Sequence, residues 1–439
     1  MGRASRLPAL YHTTRSQFRL STLTRAGETP APRSTMSNRK PPLPEPRTLN
    51  PEPNPARAQQ LVLDLMAIPG KSGEEAAVAD FIRGKLLAAG APAEAIFSDN
   101  AHQQALIQGS PGNLILKLPG TLKGPRRMLT AHMDTVPICV GTKPKIDGEF
   151  VRSANPATGL GADNRAGCGT ILSAALEILE KKLPHPPLTF CWFIQEEVGL
   201  QGARYVQKSL LGKPAMCFNW DGGACEKVTI GATGGYRMDI QVEGQASHAG
   251  VCPERGVSAI AVASLAIADL ARDGWHGLVV KGKNRGTTNV GYIHGGEATN
   301  VVTDRVSLKA EARSHDPKFR VKIVKEIERA FQSAAKEIKS SEGKRGSVKI
   351  AGRLDYESFA ISSKELCVQL TETAVRAVGR EPLLAISNGG LDANWLNAHG
   401  IPTVTLGCGQ MNVHMTSEML DLAAYRDACR IALQLATGA

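Results

Sequence analysis

Apolar residues recur at helical spacing over residues 56–68, where Leu61, Leu63, Leu65 and Met66 predict a helix. Ser72-Gly-Glu-Glu75 has the form of a capping box opening a second helix, with Ala77, Val78, Phe81, Ile82, Leu86 and Leu87 as its apolar stripe and Gly90 as its stop. Short apolar runs at 113–118, 127–132, 188–195, 215–219 and 402–406 predict buried strands, separated by helical patterns ending near Lys182 and over 364–378. A final helix is expected from Ser417. This alternation implies an α/β fold: a mostly parallel sheet with helices on both faces. Around residues 231–235 the character changes. Residues 236–243 alternate like a half-exposed antiparallel strand, followed by a helix over 257–271, strands near 287–293 and 300–313, a long helix over 319–339 and a strand near 347–352. That order predicts an inserted α+β domain of roughly 120 residues, of the ferredoxin-like kind. The expected division is a tail over 1–54, a first domain over 55–232 and 353–439, and the insertion over 233–352.

In parallel sheets of this kind the chemistry gathers at the C-terminal ends of the strands. The run L-T-A-H-M-D-T-V over 129–136 carries His132 and Asp134 to such an end, and residues i and i+2 of an extended chain face the same way. A metal-binding histidine commonly gives its second ring N–H to a carboxylate, and Asp134 is placed for that. The other predicted strands deliver Glu196-Glu197 and Asp221, and Asp163 and His414 fall on neighbouring loops. Two histidines with four carboxylates suit Zn²⁺, and mixed nitrogen and oxygen donors also suit Mn²⁺ or Co²⁺. Four carboxylates in one cavity repel one another unless about two divalent ions intervene. The plainer alternative is a set of helix N-terminal acids, which the helix dipole favours one at a time. Gly159-Leu-Gly161 could suggest a dinucleotide loop, but the third glycine and the acid about 20 residues on are missing.

Composition narrows the partners. The chain has 439 residues, 42% apolar and 21% charged, enough for two domains and a large core. No apolar run approaches the ~18 residues of a membrane-spanning helix. The net charge of +11 invites a nucleic-acid partner, but residues 1–49 carry +7 of it, leaving +4 on the other 390. Neither nucleic acid nor membrane is therefore expected. Nine cysteines, an odd number with no C-x-x-C, read as reduced thiols of a cytoplasmic protein. Residues 1–54 are rich in Pro, Arg, Ser and Thr, and read as a disordered tail or an over-long gene start with Met36 as initiator. The Arg-rich, acid-poor composition also resembles an organelle transit peptide.

The segments T-A-H132-M-D134-T-V-P, G-A-D163-N-R-A-G, Q-E196-E197-V-G, W-D221-G-G, A-S-H248-A-G and H414-M-T-S-E418 resemble the dizinc metallopeptidase family of peptidase T, aminoacylase and glutamate carboxypeptidase. The likeness runs from about Arg57 to the C-terminus. It is nearest to peptidase T-like members, whose motifs N-V-G-Y-I-H-G-G-E-A-T-N300-V-V and E-A-R313-S-H-D resemble. The resemblance implies a zinc exopeptidase-like fold whose insertion serves as lid and dimerisation domain. It implies that Asp163 bridges two metals, with His132 and Asp221 completing one site and Glu197 and His414 the other. Asp134 would orient His132, and Glu196 would be the general base, taking a proton from a metal-bridging water. His248 would help hold the developing oxyanion, in dimeric relatives often from the partner subunit. Asn300 and Arg313 would contact a substrate carboxylate or the oxyanion; for Arg313 a surface salt bridge stands as an equal alternative. One departure is Asn164, where many relatives have a second acid. It removes a charge but no ligand.

Asp at position 221, where other branches carry Glu, resembles the aminopeptidase, dipeptidase and aminoacylase side of that family. The expected activity is dimetal-dependent release of N-terminal residues from di- or tripeptides by a homodimer. The alternatives are an N-acyl-amino-acid amidohydrolase or carboxypeptidase with the same ligands, and a metal-free binding or scaffold protein, which the presence of every ligand disfavours.

Overall fold

The computed structural model describes residues 52–109 and 111–438. The expected tail lies outside the described residues up to position 51. Asn54, inside the described part, caps the first helix, Pro55–Ala67, by accepting a hydrogen bond from the Arg57 N–H at 3.0 Å.

The main sheet runs in the order Ile96–Ser98, Leu114–Leu118, Leu188–Phe193, Arg127–His132, Met216–Trp220, Thr403–Leu406, Lys227–Ala232, Phe359–Ala360, and Leu383–Ser387 also pairs with Lys227–Ala232. Its four central strands, from Leu188–Phe193 to Thr403–Leu406, are mutually parallel. The flanking pairs are antiparallel save for Leu383–Ser387. Both faces are covered, which is why the central strands read as unbroken apolar runs rather than alternating ones. One face meets Pro55–Ala67, Ala76–Ala88, Ala162–Lys181 and Leu422–Thr437 through a core including Leu65, Ile82, Ile171 and Tyr425. The other meets the short helices Gln201–Tyr205 and Asp392–Ala398 through Phe193, Cys217 and Leu396.

Residues 234–356 carry a second, antiparallel sheet in the order Gly277–Lys281, Asn284–Gly295, Arg305–Ser314, Gly234–Glu243, Ser347–Tyr356. Its even-numbered positions Met238, Ile240, Val242, Leu308 and Ala310 form a separate core with Val262 and Phe331 from the helices Ala259–Arg272 and Pro317–Glu337. The strand Gly277–Lys281 adds an element to the expected order. It is half exposed on an edge and turns back at Gly282, whose φ of +63° suits glycine, so its pattern is neither alternating nor fully apolar. The last helix starts at Leu422 rather than Ser417, because Met419–Asp421 is drawn into a small sheet with Phe150–Ser153.

No helix among the described residues is long and apolar enough to cross a membrane. All nine cysteines are free thiols, eight of them buried.

Candidate metal centre

His132 is the last residue of its strand, in register with Phe193 of the neighbour, so the two chains deliver His132 and Glu196-Glu197 to the same end of the sheet. Asp221 follows the strand Met216–Trp220. Asp163 sits in the first turn of Ala162–Lys181 with non-helical φ/ψ, behind Gly161 at φ +77°. His414 lies on the loop after Thr403–Leu406 with a left-handed φ of +64°.

These residues converge. Asp163 Oδ1 lies 3.2 Å from His132 Nε2, and its Oδ2 lies 3.3 Å from His414 Nε2. His414 Nε2 is also 3.0 Å from Glu197 Oε1. His132 Nε2 is 3.9 Å from both Glu196 Oε2 and Asp221 Oδ1. The donor atoms of His132, Asp163 and Glu197 lie within 4.8 Å of one another, as do those of His132, Glu196 and Asp221. Asp163 Oδ1 is buried and takes no hydrogen bond. Among the described residues no Lys or Arg pairs with Asp163, Glu196, Glu197 or Asp221. So many carboxylates facing two imidazoles, with an orphaned oxygen at their centre and no Lys or Arg paired with them, fit divalent metal ions.

The electrostatics point the same way. Burial raises the Glu196 and Asp221 carboxyls well above the usual range, reinforced by neighbouring acids; for Glu197, burial and Asp163 raise it to about 6. Burial works against a charged His132, yet Glu196, Asp134, Asp163 and Asp221 hold its proton affinity well above normal. Hydrogen bonding to Asp163 and Glu197 lifts His414, half exposed, to about 10. Burial would raise Asp163 too, but the two imidazoles hold it below the ordinary carboxylate range. The cluster attracts positive charge from whatever source can supply it.

Asp134 is fully buried beneath it. Its Oδ1 lies 3.3 Å from His132 Nδ1, as the i, i+2 spacing predicts. It does more than face the histidine. Its carboxylate accepts hydrogen bonds from the Ser72 hydroxyl at 2.6 Å and from the backbone N–H groups of Glu196 at 3.0 Å and Glu197 at 3.2 Å. Ser72 therefore does not cap the second helix. The N-cap position there is Glu75, without a side-chain cap bond, and Ser72 is spent on Asp134. Its S-G-E-E context reads as a helix start, and nothing local marks its partner 62 residues away.

Asn164 explains itself in three dimensions. It is fully buried; its amide nitrogen donates to the Trp220 carbonyl at 2.7 Å, while its oxygen accepts from Gly167 N at 3.0 Å and Gln410 Nε2 at 2.8 Å. A carboxylate could accept the last two but would face the Trp220 oxygen without a proton to give. Asn164→Asp is expected to lower unfolding free energy by about 1–3 kcal/mol, the cost of an unmet buried polar group, and to weaken metal binding by displacing the segment before Asp221. Urea denaturation and metal titration of the variant measure both; unchanged values in both would reject it.

A further buried acid escaped sequence reading. Asp392, which opens a short helix after Gly389-Gly390, has neither carboxyl oxygen hydrogen-bonded, and burial pushes it to about 7.

The structure leaves three expected residues outside this cluster. His248 and Asn300 lie on exposed loops of the second sheet, joined by Ala249 N–H to the Asn300 carbonyl at 2.9 Å. His248 Nδ1 accepts from Gly250 N at 3.1 Å and Val251 N at 3.2 Å. Arg313, on Arg305–Ser314, is paired with Glu311 through two hydrogen bonds of 3.0 and 2.9 Å. Among the described residues, no hydrogen bond or ion pair joins any of the three to the strand-end cluster.

Residues 128–438 match the model of peptidase family M20/M25/M40. An uncharacterised Bacillus subtilis protein, YqjE, is 32% identical over 311 residues, 71% of this chain and 80% of its own. The crystal structure of a tripeptidase from Staphylococcus aureus superposes with a TM-score of 0.79 at 30% identity, covering 88% of this chain and 99% of that one. The crystal structure of aminopeptidase PepT from Bacillus cereus gives a TM-score of 0.75 at 30% identity, covering 88% and 98%. The strand-end cluster of histidines and carboxylates lies wholly inside the matched span, and the chain belongs to peptidase family M20/M25/M40, hydrolases acting on peptide bonds.

Proposed function

We propose that this chain is an aminopeptidase that releases N-terminal residues from di- or tripeptides with two divalent cations, Zn²⁺ first and Mn²⁺ or Co²⁺ as alternatives. The observation that carries the reading is Asp163, whose two oxygens each face a different imidazole at 3.2 and 3.3 Å. His132 and Asp221 with Asp163 would hold one ion; Glu197 and His414 with Asp163 would hold the other. Bound there, the cations would polarise the scissile carbonyl and lower the pKa of a water to about 7.

The chain's own residues do the rest. Glu196 Oε2, at 3.9 Å from His132 Nε2 and so not hydrogen-bonded to it, stands beside the cluster as the base. Its carboxylate takes a proton from the attacking water and passes it to the leaving amide nitrogen, so that the C–N bond breaks to a free amine. Asp134 fixes the His132 ring and, through the backbone of Glu196 and Glu197, the base beside it. The insertion over 233–352 acts as lid and homodimer contact, bringing His248, Asn300 and Arg313 to substrate only on closure or from a partner copy. The solved structures of a tripeptidase and of PepT support the choice of substrate. So does Asp221, where other branches carry Glu.

The test is a panel of free di- and tripeptides, N-acetyl amino acids and N-blocked peptides, offered to metal-loaded protein. Release of the first residue from free peptides, with blocked ones intact, is the expected result. Cleavage of N-acetyl amino acids instead would make it an amidohydrolase, and release of the last residue from blocked peptides a carboxypeptidase.

A further inference from the structure

Glu418 stands four residues after His414 and is almost fully buried. Its Oε2 accepts hydrogen bonds from the backbone N–H groups of Leu160 at 2.8 Å and Gly161 at 2.7 Å, and its Oε1 from that of Asp163 at 3.0 Å. The Cys139 thiol also donates to Oε2, at 3.5 Å. Among the described residues no Lys or Arg pairs with it; its charge is met by three main-chain N–H groups and a thiol. Gly161, at φ +77°, turns successive N–H groups onto one point, the concave arrangement that main chain uses to bind anions. Space is as tight: a Cβ on Gly159 would sit 3.0 Å from the Glu418 carboxylate and 3.1 Å from the Met415 carbonyl. On its own side, Glu418 N–H bonds to the Met415 carbonyl at 3.0 Å, closing the turn that follows His414.

One carboxylate thus ties together two loops 255 residues apart, one carrying Asp163 and the other His414. A buried anion without a cation is a costly way to stabilise a fold. It is an effective way to fix a loop, since charged hydrogen bonds to backbone are short and directional. We infer that Glu418 is a positioning residue that clamps the Asp163 loop to the His414 turn, setting the separation of the two metal sites across their shared carboxylate. This rests on the dimetal reading above and names the part of the chain that spaces its ions.

Calorimetric titration of Zn²⁺ into the metal-free protein tests it, with Glu418→Ala, Glu418→Gln and Glu177→Ala compared. Glu177 is an equally buried carboxylate that bonds Asn54 N–H at 2.8 Å and Lys181 at 2.6 Å. It lies about 21 Å along the same helix from Asp163, at 1.5 Å per residue. Both Ala variants should lower the melting temperature. Only the Glu418 variants should weaken at least one of the two ions by about tenfold or more, the usual cost of losing a group that orients a ligand. Glu418→Gln, which keeps the volume and one acceptor, should fall between parent and Glu418→Ala, and it carries the test if Ala does not fold. In the metal-free protein the amides of Leu160, Gly161 and Asp163 should lose hydrogen-exchange protection in the Glu418 variants and not in Glu177→Ala. Two ions bound by a Glu418 variant at parental affinity would overturn the clamp and leave the dimetal reading standing. A parent that binds no divalent ion would overturn both.

Discussion

Glu196→Ala is expected to keep two metal ions and lose about 10²–10⁴ of turnover, the range that a positioned proton-transfer group supplies. The loop should survive the change, because it is held through its backbone: the Glu196 and Glu197 N–H groups bond to Asp134 at 3.0 and 3.2 Å, and neither bond uses the Glu196 side chain. What disappears is a carboxyl group that is nearly buried between His132 and Asp221, with its proton affinity raised by burial. Metal content by mass spectrometry and steady-state rates on a cleaved peptide measure the two halves separately. Parental turnover in the variant would reject Glu196 as the base, and loss of an ion would make it a ligand.

Asp163→Ala should have the other large effect, and a different signature. No other carboxylate among the described residues comes within 4.0 Å of both His132 and His414. Removing it takes a donor from each ion at once, so both affinities should fall by more than the roughly 10–100-fold that an outer partner costs. Turnover should vanish with them, and excess Zn²⁺ should not restore it fully. Gel filtration followed by metal analysis would show fewer than two ions per chain. Two tightly held ions in Asp163→Ala would mean that the bridge has been misassigned. The contrast between the variants matters: one separates chemistry from binding, the other removes the binding on which the chemistry depends.

Much of the site follows from local pattern. His132 and Asp134 share a face because an extended chain repeats every two residues, and the structure keeps them 3.3 Å apart. Glu196, Glu197 and Asp221 cluster because buried parallel strands end together, and apolar runs mark those ends in the sequence. The helices over Pro55–Ala67, Ala259–Arg272 and Pro317–Glu337 lie within a few residues of where their apolar stripes place them. Such features rest on spacings of two to four residues, which any short window contains.

Tertiary structure alone decided the supporting shell. Ser72 looks like a helix cap and serves Asp134; Asn164 looks like a lost acid and acts as a two-way hydrogen bond to Trp220 and Gln410; Glu418 reads as the tail of a motif and binds three backbone amides. The partners lie 56 to 258 residues away, and a hydrogen bond depends on where two atoms meet, which hydrophobic periodicity does not encode. Composition and periodicity placed the clustered histidines and carboxylates at one rim; only folding chose what holds each of them still.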